Sequence, residues 1–131
     1  MVLPITAFYA SLLGICYLYL SFLVIGIRRK HQISLGDGGL EDLKRLIRAH
    51  GNFSEYVPIT LIMLACFEAN TGQAWGVHVL GCGLLFGRLL HAFGLRHHDG
   101  ASWQRLVGMV LTFLSMLVTA IANLMLIHFG L

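Results

Sequence analysis

Two stretches of this 131-residue chain limit its fold more than any other feature: Val2–Ile27 and Leu106–Ile127 contain no charged residue. Each exceeds the ~20 residues that a helix needs to cross the hydrocarbon core of a bilayer. There is no water in that core, so backbone N–H and C=O groups must be satisfied within the segment, which favours the α-helix. Composition agrees, with 57% of residues hydrophobic and 11% charged, against roughly a quarter charged in a soluble domain. The chain reads as an all-α integral membrane protein. Its first run is too long for a signal-peptide core, with no basic residue before it and no small-residue cleavage site after it. It is expected to be a retained helix.

The middle of the chain is less plain. A hydrophobic centre at Tyr56–Phe67 is too short to cross a bilayer alone. Before it, Leu40, Leu43, Leu46 and Ile47 recur at helical spacing, which predicts one helix over about 40–70. Further spans are expected at about 2–27, 75–95 and 104–127. The prediction is a four-transmembrane-helix bundle forming one membrane domain over 1–131. Ser34–Gly39 (SLGDGG), Asn70-Thr71-Gly72 and His97-His98-Asp99-Gly100 punctuate it as connections. Glu41 and Asp42 suit the positive first turn of the second helix.

The basic residues orient this bundle. Arg28, Arg29, Lys30, Lys44, Arg45 and Arg48 surround the first connection, and Arg96 and Arg105 flank the third, while the second has none. The positive-inside rule then predicts the first and third connections on the cytoplasmic side of the inner membrane and both termini opposite. The net charge of +3 belongs to that asymmetry, and no nucleic-acid partner is expected. Cys16, Cys66 and Cys82 lie in apolar segments without a CxxC, as small buried hydrophobes would. No base neighbours Cys82 in sequence. The adjacent His97 and His98 lack metal-ligand spacing, so no metal is expected.

The polar residues that need a reason lie in RAHGNFSEYVP, residues 48–58. Arg45, Arg48, Asn52 and Glu55 follow one another at steps of three, four and three, and so share a helix face. Tyr56 borders that stripe, and His50 points to a different neighbour. Such groups are costly in lipid, so the stripe is expected to face the bundle interior, a subunit interface or an aqueous cavity. Arg88 and His91 near the end of the third span, Arg105 at the start of the fourth, and Arg28 and Arg29 at the end of the first lie at a similar level. Surplus guanidinium there suits an anionic ligand, with carboxylates gripped bidentately. A structural reading stays open beside it: Arg28, Arg29 and Arg96 snorkelling to head groups, and Arg88 paired with Glu55 across two helices.

The stretch Arg48-Ala49-His50-Gly51-Asn52-Phe53-Ser54-Glu55-Tyr56-Val57-Pro58 resembles the signature of the MAPEG family, the membrane-associated proteins of eicosanoid and glutathione metabolism. There an R-A-x-x-N-x-x-E-Y/F-x-P pattern opens the second of four transmembrane helices. The resemblance covers nearly the whole chain, including Arg28-Arg29, Arg88 and Arg105. It implies a homotrimer that binds glutathione between subunits near the cytoplasmic face. Arg48 and Asn52 would hold its backbone and carboxylates, Glu55 its amino group, and Tyr56 a further polar contact. His50 stands where leukotriene-forming members have a glutamine that also touches glutathione. Arg28 matches a first-helix arginine of the same pocket, with Arg88 and His91 completing the set. Arg105 resembles the arginine that stabilises the thiolate.

That resemblance implies a membrane-bound glutathione-dependent transferase or peroxidase, acting on lipophilic electrophiles or lipid hydroperoxides from the bilayer. Aligned on Arg88, the chain has His91 and Leu95 where eicosanoid-forming members carry two tyrosines, which favours a generic activity over a specific eicosanoid synthesis. Two other functions compete. One is a non-catalytic trimer of the same fold that binds lipid or a partner. The other is a small four-helix transporter of lipophilic cations, but such carriers depend on a carboxylate in the first helix, and Val2–Ile27 has none.

Overall fold

The computed structural model describes residues 1–130 and is helical throughout: α1 (Pro4–Lys30), α2 (Glu41–Asn70), α3 (Ala74–His97) and α4 (Trp103–Phe129). Each helix agrees with an expected span to within a few residues, and local chemistry sets the ends. Pro4 opens α1, where its missing N–H costs nothing. Arg28, Arg29 and Lys30 fill the last turn of α1, where they favour the negative end of the helix dipole. Ser102 caps α4, its hydroxyl accepting from the Arg105 amide at 3.3 Å. In the first connection Gly36, Gly38 and Gly39 all take positive φ, so the run of glycines is needed for the turn itself.

Three helices, α1, α3 and α4, are long and apolar enough to cross a membrane by composition. The fourth, α2, carries Glu41, Asp42, Lys44, Arg45 and Arg48 in its first turns. Its position accounts for it: α2 packs against α1, α3 and α4, whereas α1 and α4 make no contact among the described residues. Lipid therefore meets less of α2 than of the outer helices.

Leu13 and Leu20 of α1, Ala49, Phe53 and Val57 of α2, and Leu84 and Leu95 of α3 form the main core. Val24, Leu43 and Leu46 form a second patch towards the first connection. The joint between α3 and α4 works differently. The buried residues of α4 are Gly108, Thr112, Ser115 and Thr119, all small enough to let backbones approach, as membrane helices do in the absence of a hydrophobic driving force. A Cβ added to Gly108 would lie 2.6 Å from the Gly87 carbonyl oxygen, and one on Gly87 2.9 Å from that of Gly108. The Thr112 and Thr119 hydroxyls donate to carbonyls one turn back, at 2.8 and 2.6 Å, which satisfies them inside the joint.

Outside, Phe8, Ile15, Phe22, Val110, Leu117 and Leu124 are exposed. Polar groups inside and large hydrophobics outside is the reverse of a soluble protein, and it fits a lipid surround. Trp75 and Trp103 stand exposed at the starts of α3 and α4, as belt residues do. One expectation is corrected: Cys66 is exposed, and Cys16 and Cys82 are only half-buried. Helix rotation, not residue type, decides which side of an apolar run faces the core. An unforeseen contact closes the N-terminal end of α1, where the Ile5 and Thr6 amides donate to the Glu68 carboxylate of α2 at 2.8 and 2.6 Å.

Candidate functional site

Arg88 is the centre of the polar interior. It is only 2% exposed, and Asn52 5%. Its Nη1 donates to Asn52 Oδ1 at 2.5 Å, its Nε to Thr112 Oγ1 at 2.9 Å and its Nη2 to Met109 Sδ at 3.2 Å. One side chain of α3 thus ties together α2 and α4. All three partners are neutral, and among the described residues no carboxylate pairs with Arg88. The guanidinium thus has no counter-charge in a place where an unpaired charge is costly.

Glu55 does not pair with Arg88, contrary to one sequence reading. It accepts from Arg48 instead, Oε1 from Nη1 at 2.9 Å and Oε2 from Nη2 at 3.2 Å. The reason is helix geometry. Seven residues bring a helix back to within ~20° of its starting direction, so Arg48 and Glu55 stack along one line. Asn52, four residues after Arg48, is turned about 40° from that line, enough to enter the bundle. The Arg48 and Glu55 side chains are 55% and 47% exposed and face out of the single chain.

The remaining candidates divide further. His91 is buried where α3 crosses α4, with its Cβ close against Gly108. Tyr56 meets Phe113 of α4 edge-on at 5.2 Å. His50 turns towards α1, bonding Ser21 Oγ at 2.9 Å and stacking on Tyr17 at 4.4 Å, so it does serve a different neighbour from the stripe. Arg45 leaves the stripe as well, bridging Asp42 and Asp99 of the third connection. Arg28 Nε donates to the Gly36 carbonyl at 3.1 Å. Arg105 Nη1 donates to the Gly100 carbonyl at 3.0 Å, in the first turn of α4.

Sequence reasoning missed Thr112 and Met109, which lie in an uncharged run. The four-residue step from Gly108 to Thr112 was the available signal for a close helix joint. It also missed a chain at the opposite end of the bundle, where Tyr9 Oη lies 2.9 Å from Cys82 Sγ and 3.1 Å from His78 Nδ1. Cys82 thus has polar neighbours in space that it lacks in sequence.

A model of the MAPEG family matches residues 6–125. The chain belongs to the MAPEG family. It is 38% identical over 120 residues to the Inner membrane protein YecN of Escherichia coli K12, an alignment covering 92% of this chain and 90% of the relative. The same identity and coverage hold for the protein of that name in Escherichia coli O6:H1. The matched region takes in all four helices apart from the first two residues of α1 and the last turn of α4, and with them every candidate residue above. The name of these relatives gives a membrane and no reaction.

Proposed function

We propose that this MAPEG protein is a glutathione-dependent transferase or peroxidase of the inner membrane, working as a homotrimer with its basic end towards the cytoplasm. The observation that carries the reading is Arg88: a buried guanidinium held by neutral groups only, beside an outward Arg48–Glu55 pair. Glutathione has two carboxylates and one ammonium group, so it complements a site with two arginines and one carboxylate. Arg48 and Asn52 would take its carboxylates and backbone, Glu55 its amino group, and Tyr56, His50, Arg28 and His91 its remaining polar atoms. Exposure of Arg48 and Glu55 on a single chain supports a ligand or a second subunit on that face.

Arg105 would act on sulfur. A free thiol has a pKa of ~8.5, lowered next to a cation or a helix N-terminus, and Arg105 offers both, in the first turn of α4. The thiolate would attack the carbon of a lipophilic electrophile and form a thioether as the leaving group departs. With a hydroperoxide, two glutathione molecules would become a disulfide while the peroxide is reduced to an alcohol and water.

A second reading, a non-catalytic trimer that binds lipid or a partner, draws support from the Arg105 contact with the Gly100 carbonyl and from the apolar Leu95. Ultraviolet difference absorbance on adding glutathione near neutral pH separates the two. A thiolate band that vanishes in Arg105→Ala is the expected result. Binding by calorimetry without a band would favour the scaffold, and absence of both would end the glutathione reading.

A further inference from the structure

Between α1 and α3 a cleft of about 450 Å³ runs from mid-helix to the basic end of the bundle, a volume in the range of small-ligand sites. Its depth is apolar, formed by Cys16, Leu20, Phe53 and Ala92. Its charge is of one sign: Arg88 stands in the wall, Arg96 and His97 at the rim, and no carboxylate lines it. The rim is also built. Arg96 donates to Tyr19 Oη across the mouth, with its guanidinium carbon 5.8 Å from the centre of the Tyr19 ring. The His97 ring rests on Phe93 at 4.4 Å. Contact with an aromatic face holds a guanidinium while leaving its other N–H groups free for an anion.

An apolar well under a cationic rim fits an amphiphile with an acidic head. We propose that the cleft holds one acyl chain of an anionic phospholipid, with its phosphate on Arg96 and His97. Two features favour a phospholipid over a free fatty acid. The cleft opens sideways past Ile15, Tyr19, Leu89 and Phe93, whose exposed side chains let a second chain remain in the bilayer. Arg28, Arg29 and Lys30 end α1 on the same side, so the cations form a belt at head-group level, where basic pockets between transmembrane helices bind acidic lipids. This lipid site shares Arg88 of its wall with the thiol reading, but its head-group contacts, Arg96 and His97, take no part in that reading, so it stands if that reading fails.

The test is native mass spectrometry of the protein released from nanodiscs of equal phosphatidylglycerol and phosphatidylethanolamine. The wild type should retain phosphatidylglycerol in excess. Arg96→Gln should cut that preference about fivefold, the effect of one basic residue at an anionic surface. Ala92→Phe, which fills the well, should release the lipid with the helical melting curve preserved, and Arg96→Gln decides alone if that variant does not fold. Equal retention of the two lipids, or an unchanged preference in Arg96→Gln, overturns the proposal. So does retention of added oleate in place of phosphatidylglycerol. A change in oligomer mass in Ala92→Phe with lipid retained would overturn it too, by giving the face to a second copy.

Discussion

At the scale of single residues, Arg88 sets the clearest question. A buried arginine that only joined helices would be expected to have a carboxylate opposite, because breaking a buried ion pair costs about 3–5 kcal/mol. Arg88 has an amide, a hydroxyl and a thioether. Arg88→Met keeps most of the bulk and removes the charge but leaves the buried Asn52 Oδ1 without its donor, so a modest loss of stability of about 1–3 kcal/mol is expected. Glutathione affinity should fall about tenfold or more, since a hydrogen bond to a charged group contributes about 1.5–3 kcal/mol. A large loss of stability with affinity intact would make Arg88 a helix clamp instead. Calorimetric binding and thermal unfolding on one preparation give both numbers. Sequence alone marked Asn52, Glu55 and Arg88 as residues needing partners. One of its two open readings paired Arg88 with Glu55, because a stripe at steps of three and four looks like one line, while the real helix rotates Asn52 inward to Arg88 and leaves Glu55 outside with Arg48.

At the scale of elements, the two middle helices and the α3–α4 joint hold the bundle. Helix α2 was legible through Leu40, Leu43, Leu46 and Ile47, because helical periodicity persists where hydropathy fails. The joint was legible only in part: Gly76, Gly81, Gly83 and Gly87 of the third span invite close helix approach, but glycines in apolar runs look alike whichever way they face. In the fold they differ sharply. A Cβ on Gly108 would meet the backbone of α3 at 2.6 Å, whereas one on Gly26 would meet nothing within 4 Å. Gly108→Ala is therefore expected to destabilise by about 1–3 kcal/mol, the usual cost of overpacking. Gly26→Ala should be neutral or slightly stabilising, as alanine favours a helix over glycine by about 1 kcal/mol. Thermal unfolding of both in one detergent checks the pair, and equal midpoints would refute the close crossing. Displacement of His91 by Gly108→Ala should also weaken glutathione binding, a readout that Gly26→Ala leaves unchanged.

At the scale of the whole molecule, everything above depends on α2 crossing the membrane although its composition alone would not carry it. Its 30 residues reach about 45 Å at the usual rise, more than the ~30 Å hydrocarbon core, so its exposed first turns with Glu41, Asp42 and Lys44 can lie outside that core. If α2 crosses, the first and second connections lie on opposite sides, and the first and third on the same side. If α2 lay along the surface, the first and second would share a side. Single cysteines decide this on a background without the native three: Ser34→Cys, Gly72→Cys and Gly100→Cys. The glycines of that set have open space around them, so labelling reads topology and not packing. A membrane-impermeant maleimide applied to intact spheroplasts is expected to label Gly72→Cys and to reach the other two only after lysis. That sign follows from the basic residues around the first and third connections. The reverse pattern would keep the four-helix bundle and invert it, moving the proposed glutathione site to the outer face. Equal labelling of Ser34→Cys and Gly72→Cys would remove α2 from the membrane, and with it the reason for Asn52 to seek a buried partner.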